Sequence, residues 1–83
     1  MEVTPSGSML FVENNDVPGV IGKVGTLLGN LNINIAAYLL NRSGENGKAF
    51  AVIRLDKPLD EDGLSTLSGI NELESVKQIH VTN

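Results

Sequence analysis

The chain has no cysteine and a single histidine, His80, in 83 residues. Without thiols there is no disulfide staple and no thiolate metal centre, which fits a reducing cytoplasm, and no metal site is expected. A lone histidine with no evident nucleophile or orienting partner supplies no acid–base pair, so the chain alone is expected to catalyse nothing. Glu61 and Asp62, adjacent near the start of an expected helix, read as dipole-compensating residues rather than paired catalytic acids. Cations are also scarce: six Lys and Arg against ten Asp and Glu give a net charge of −4. No basic footprint is left for a nucleic-acid backbone or an anionic membrane surface. Long apolar runs are missing too, so neither a membrane span nor a signal peptide is expected.

What is present is 41% hydrophobic content, enough for one domain with one core. A chain this short buries only about 60 to 65% of the surface exposed on unfolding, so it gains from a partner. Met1 to Gly7, broken by Pro5, reads as a linker or the remnant of something upstream. Ser8 to Glu13, rich in strand formers, gives a first strand. Val17 to Leu31 follows as a helix opened by Pro18, whose fixed φ suits a first turn. On it Val17, Val20, Ile21, Val24, Leu27, Leu28 and Leu31 fall within an arc of about 120°. Gly22, Gly25 and Gly29 line a stripe beside that arc. Three interior glycines cost roughly 3 kcal/mol against alanine, which close approach by a second helix or a partner surface would offset.

Asn32-Ile33-Asn34 ends the helix, and Ile35 to Arg42 reads as a second strand. Ser43 to Gly47 carries the hairpin signal Asn46-Gly47 and leads into a third strand, Lys48 to Asp56. That strand alternates clearly, so Ala49, Ala51, Ile53 and Leu55 should lie under the helices. Pro58-Leu59-Asp60 opens a second helix, with Asp60 as cap, Leu59 and Leu64 as a staple, and Leu64, Leu67 and Ile70 as core face. Ser75 to Thr82 is a last strand, with Ile79 and Val81 expected inward and Gln78 and His80 outward. The same alternation places all three aromatic residues, Phe11, Tyr38 and Phe50, on the outer face of the sheet. The order is that of an α+β, ferredoxin-like βαββαβ fold: a four-stranded antiparallel sheet with two helices on one face, strands one and three central.

Function has to come from a site, and the candidate is Asn14-Asn15-Asp16-Val17-Pro18-Gly19-Val20-Ile21-Gly22. Gly19 leaves the free N–H groups of the first helical turn unshielded, with the positive end of the dipole behind them, so a carboxylate or phosphate can approach. Asn14, Asn15 and Asp16 add amide donors, acceptors and one anion, a mix suited to a zwitterion. The same residues also read as an ordinary capped strand-to-helix turn.

Two families share this layout. Leu10-Phe11-Val12-Glu13-Asn14 and Lys48-Ala49-Phe50-Ala51-Val52-Ile53 resemble the two signatures of an RNA-recognition motif, with Phe11 and Phe50 placed to stack bases. Ala49, Val52 and Leu55 replace an expected glycine and two aromatics, and stacking without a basic field supplies little affinity. More residues fit the ACT-domain family. Asp16 to Gly29 (Asp-Val-Pro-Gly-Val-Ile-Gly-Lys-Val-Gly-Thr-Leu-Leu-Gly), then Asn32-Ile33-Asn34-Ile35-Ala36-Ala37, resembles it, and more narrowly the carboxy-terminal regulatory ACT domain of D-3-phosphoglycerate dehydrogenases. Serine dehydratase subunits carry similar domains. The resemblance covers Met9 to Val81 and is strongest in the Pro-Gly-Val segment, the glycine-rich helix and the Asn-Ile-Ala-Ala strand start.

That resemblance implies a homodimer binding L-serine or another small amino acid at its interface as feedback inhibitor. Its polar ligands map onto Asn14 and Asp16 of one subunit and Asn34 of the other, and the site expected around them is Asn14, Asn15, Asp16, Val17, Pro18, Gly19 and Val20 with Asn34 and Ile35. Some members have His and Asn where Asn14 and Asp16 stand. Pairing would run through the uncharged strand Ile35, Ala36, Ala37, Tyr38, Leu39 and Leu40, which lacks any charge or proline to deter it. The domain itself would need no cofactor. NAD chemistry would belong to the catalytic domains of a parent enzyme.

Overall fold

Which side of the sheet the helices cover is decided by the alternation of the third strand. The computed structural model describes residues 7–42 and 47–81, so segments 1–6 and 43–46, which hold most of the expected linker and the Asn46 half of the hairpin signal, lie outside the described residues. The elements are β1 (Gly7–Asn15), α1 (Val20–Asn30), β2 (Ile35–Asn41), β3 (Lys48–Leu55), α2 (Glu61–Ser68) and β4 (Leu73–Val81). All pairings are antiparallel, in the expected order β2-β3-β1-β4. β1 begins at Gly7, inside the segment expected to be linker.

Ala49, Ala51, Ile53 and Leu55 are buried as expected, and β1 sets Leu10 opposite Ile53 and Val12 opposite Ala51 on the same face. Over them α1 lays Val20, Val24 and Leu28, one residue per turn, and α2 lays Leu67. Full burial of each such side chain stabilises by about 1.5 to 3 kcal/mol. Asp60 caps α2, its carboxylate accepting from the Gly63 N–H at 2.7 Å. No helix among the described residues is long and apolar enough to cross a membrane.

α1 is shorter than expected and starts three residues later, at Val20. Gly19 lies at φ +92°, a left-handed conformation that a helix interior cannot contain, so Pro18 belongs to the preceding turn instead of the first helical turn. The buried stripe narrows with it: Val17 and Leu31 are exposed, and Ile21 is 51% exposed. At the other end Asn32, at φ +61°, donates to the Gly29 carbonyl at 2.9 Å, and Ile33 donates to the Leu28 carbonyl at 3.0 Å. This is a Schellman closure with asparagine in the left-handed position and Ile33 buried behind it.

Among the described residues no second helix packs onto the glycine stripe. A Cβ built at Gly22, Gly25 or Gly29 meets nothing within 4 Å. Close packing occurs at Gly63 of α2 instead, where a Cβ would stand 3.0 Å from Leu59 Cδ2 and 3.3 Å from Leu31 Cδ1.

Two strands depart from simple alternation. In β2, Ile35 faces Leu55 but Ala37 faces Arg54, a bulge that sets Ala36 and Ala37 against one residue. The extra residue reverses the facing, so Tyr38 pairs with Ile53 on the helix side, half-buried, and not on the outer face. In β4, Gln78 pairs with Leu10 and Val76 with Val12, which turns both inward, and His80 shares their face opposite Ser8. Ile79 pairs with Met9 and is exposed on the outer face; the side chain of Val81 lies outside the described residues. Gln78 is inward because its amide is consumed there. Its Oε1 accepts from the Leu59 N–H at 2.8 Å and from Ser8 Oγ at 2.9 Å, while Nε2 donates to the Leu59 carbonyl at 3.1 Å. A side chain thus stands in for a strand partner to the chain entering α2.

Replacing Gln78 by leucine keeps the bulk and leaves the main chain of buried Leu59 without these bonds. A loss of about 1 to 3 kcal/mol is expected, read as a lower urea midpoint with unchanged slope. An unchanged midpoint would show that water replaces the amide at no cost.

Candidate functional site

β1 carries the site at its end. Asn14 continues the inward set of Ser8, Leu10 and Val12 and is only 4% exposed. Beyond it three backbone bonds fix the loop: the Asn15 N–H to the Glu72 carbonyl at 2.8 Å, the Asp16 N–H to the Gly47 carbonyl at 2.7 Å, and the Val17 N–H to the Asn15 carbonyl at 2.9 Å. The loop is therefore held from both neighbouring strands. Its polar groups are fixed before any ligand arrives.

Between this loop and the edge strand lies a cleft of about 360 Å³. Asn14, Asp16, Val17, Pro18 and Gly19 form one wall, and the first turn of α1 from Val20 to Gly22 forms its end. Tyr38, Leu40 and Arg42 close the third side. Six of the residues expected in the site, Asn14 and Asp16 to Val20, are thus brought together.

Three others are not. Asn15 points to the outer side of the sheet end, where its Oδ1 accepts from Lys48 Nζ at 3.1 Å. Ile35 opens β2 and Asn34 precedes it, at the opposite end of a seven-residue strand, roughly 20 Å along the sheet. There Asn34 is gripped by Asp56: the backbone N–H and Nδ2 of Asn34 donate to the two carboxylate oxygens at 3.1 and 3.3 Å, and the Asp56 N–H returns a bond to the Asn34 carbonyl at 3.0 Å.

Tyr38, Leu40 and Arg42 were not part of the expected ligand set. The bulge hides the first two, since strict alternation turns Tyr38 away and leaves both as edge residues. Arg42 was legible: the hairpin sets Asn41 opposite Phe50, and Ala49 and Lys48 stand opposite Asn14 and Asn15, so a residue just past β2 must lie beside the loop. Its Nε donates to both carboxylate oxygens of Asp16, at 2.9 and 3.1 Å.

Two features of the cleft remain unsatisfied among the described residues. The amides of Val20, Ile21 and Gly22 precede the first intrahelical bond, from Lys23 to Gly19 at 3.0 Å, and neither a capping side chain nor an acidic residue meets them. Asn14 Nδ2 donates to the Asn15 carbonyl at 2.8 Å, while its buried Oδ1 has no partner. Opposite them burial pushes the Tyr38 hydroxyl above its ordinary value of 10.0, so it stays protonated at neutral pH. Such a cleft offers N–H donors to a carboxylate at one end and oxygen acceptors to an ammonium at the other. Among the described residues no three metal-ligating side chains come together.

The family model of the ACT domain matches residues 8–72. The chain belongs to the ACT-domain family. Over 80 residues this ACT domain is 40% identical to D-3-phosphoglycerate dehydrogenase of Synechocystis sp., covering 93% of this chain and 14% of that protein. The same enzyme of Bacillus subtilis is 33% identical over 75 residues, 90% of this chain and 14% of that one. The chain therefore spans about a seventh of the length of these relatives. Among solved structures, a homoserine dehydrogenase from Thiobacillus denitrificans superposes with a TM-score of 0.73 at 15% identity, over 94% of this chain and 17% of that one. The ACT domain of a GTP pyrophosphokinase from Chlorobium tepidum gives 0.62 at 16% identity, over 87% and 95% of the two chains. At such identities they attest the ACT fold alone.

The first turn of α1 is anchored in this ACT domain by Lys23, whose Nζ lies 2.7 Å from Glu72 Oε2. Hydrogen bonding from Lys23 and from its own backbone N–H holds the Glu72 carboxyl below its ordinary 4.5. Because the folded value is the lower one, the contribution is complete above the unfolded value and is lost as pH falls through the folded value. Lys23→Met should therefore lower the urea midpoint near neutral pH, with the deficit shrinking towards zero below about pH 4. A deficit independent of pH would assign the effect to packing of the lysine stem.

Proposed function

We propose that this ACT domain binds a small L-amino acid, with L-serine the favoured ligand, and gives feedback control of an attached D-3-phosphoglycerate dehydrogenase. The observation that carries the reading is a cleft lined by Asp16 and by Asn14, whose buried Oδ1 has no partner among the described residues, and ended by the uncapped start of α1. An ammonium satisfies the two side chains and a carboxylate the helix start. Similarity to D-3-phosphoglycerate dehydrogenases supports the choice of parent enzyme. Hydride chemistry with NAD would reside in parts of that enzyme outside this chain.

The cleft is completed across a two-fold axis. β2 is an edge strand with Leu39 66% exposed, and Ile35 and Leu40 are exposed beside it. Antiparallel pairing of two β2 strands about Tyr38, midway between Ile35 and Asn41, lays the start of one strand against the end of the other. The partner subunit's Asn34 then stands beside Arg42 at the open side of the cleft. Two equivalent sites form and the interface closes on itself. A ligand held by both subunits stabilises the dimer by its own binding free energy, which is how it would bias a larger enzyme between active and inactive arrangements.

Calorimetry and sedimentation of the chain test this together. L-serine should give binding heat and shift the chain towards dimer, glycine should bind more weakly, and a single-stranded RNA pool should give no heat. A monomer at high concentration with and without L-serine would remove the shared site. RNA binding without amino-acid heat would replace the reading altogether.

A further inference from the structure

We propose that the Asp16–Arg42 ion pair is a placeholder for the ligand, and that Arg42 is the residue that selects an α-amino-acid zwitterion by taking its carboxylate as Asp16 takes its ammonium. This rests on the amino-acid reading above and assigns a role to a side chain outside the expected ligand set.

The two partners are unequal. The Asp16 side chain is only 23% exposed, whereas that of Arg42 is 67% exposed. A largely covered carboxylate needs a cation, and in the free domain the chain supplies its own. The guanidinium delivering it is tethered by a solvated stem and uses only Nε on Asp16. An exposed pair of this kind is weak, so displacing it costs little. Both ends line the cleft, together with Asn14 and the first-turn residues of α1 whose amides are open.

Charge balance then fixes the ligand class. A zwitterion entering between the two ends gives its ammonium to Asp16 and Asn14 Oδ1 and its carboxylate to Arg42 and the first-turn amides. Every charge is paired before and after, and the net charge of the cleft does not change. A cationic amine satisfies Asp16 but leaves Arg42 to solvent and gains no carboxylate bond from it. An anionic acid engages Arg42 but must share it with Asp16 or leave that carboxylate unpaired. Arginine suits the task because its flat fork can meet a carboxylate with two parallel bonds and does not lose its charge.

The test is calorimetry on the full chain with L-serine, L-serinamide and N-acetyl-L-serine, for the wild type, Arg42→Met and Arg42→Lys. The wild type should prefer L-serine to either blocked analogue by about tenfold or more, the scale of a charge-assisted bond. Arg42→Met should weaken L-serine by a similar factor, leave L-serinamide unchanged or tighter, and so erase the preference. Arg42→Lys should restore part of it. A merely structural arginine, holding the loop through Asp16, would weaken serine and serinamide by the same factor, which overturns the proposal, as does an unaltered affinity for both. Failure of the wild type to bind any of the three ligands overturns the amino-acid reading itself, and the proposal with it.

Discussion

The cleft depends on one torsion angle. With Gly19 at φ +92° the chain leaves β1, turns through Val17 and Pro18, and starts a helix only at Val20. That start sets Val20, Val24 and Leu28 down on the sheet and brings three unbonded amides to the edge of a space bordered by Asn14. A Cβ at Gly19 would touch nothing within 4 Å, so the requirement is torsional and not one of space. An L-residue in the left-handed region costs about 1 to 2 kcal/mol, and a branched one more. Site geometry and folding are thus fixed by the same residue.

Much of the fold was legible because its signals are short-ranged and redundant. The alternation of β3, the Asp60 cap and the asparagine stop after α1 each follow from local chemistry, and the structure carries all three. The errors share a cause. Alternation alone turns Tyr38 outward, but one extra residue at Ala36 inverts everything after it, and nothing in the run Ile35-Ala36-Ala37 marks a bulge. Gln78 was assigned outward because it is polar, although its amide is spent on the Leu59 main chain, a partner visible only once the chain has folded. For the site, the loop and the helix start were readable from their residue types. Arg42 was readable only from hairpin register. Asn34 and Ile35 were placed by family resemblance, and in a single chain they sit at the far end of β2 from the cleft.

The ACT fold leaves room for such variation. The chain superposes on a homoserine dehydrogenase segment with a TM-score of 0.73 while sharing 15% of its residues. Apolar alternation and two covering helices suffice for the shape, so the loop after β1 can change its chemistry without disturbing the core. Here the loop is held by backbone bonds to Gly47 and Glu72, to which the Asn14 side chain adds one more, from Nδ2 to the Asn15 carbonyl. The amide of Asn14 is left half-satisfied in consequence.

The register of β1 has a further consequence for how the protein is made. Within this domain β1 precedes the other strands in the chain, yet it lies in the middle of the sheet, with β3 on one side and β4 on the other. Gly7 pairs with Val81, so one flank of the earliest strand stays open until the last strand has left the ribosome. Until then β1 presents a bare edge, on the side where Leu10 and Val12 await Gln78 and Val76. Local hairpin and helix contacts can form early, but the core cannot be sealed from that side during elongation. An emerging domain of this kind keeps one edge of its central strand unpaired until β4 arrives, and an unpaired edge can take a strand from another chain.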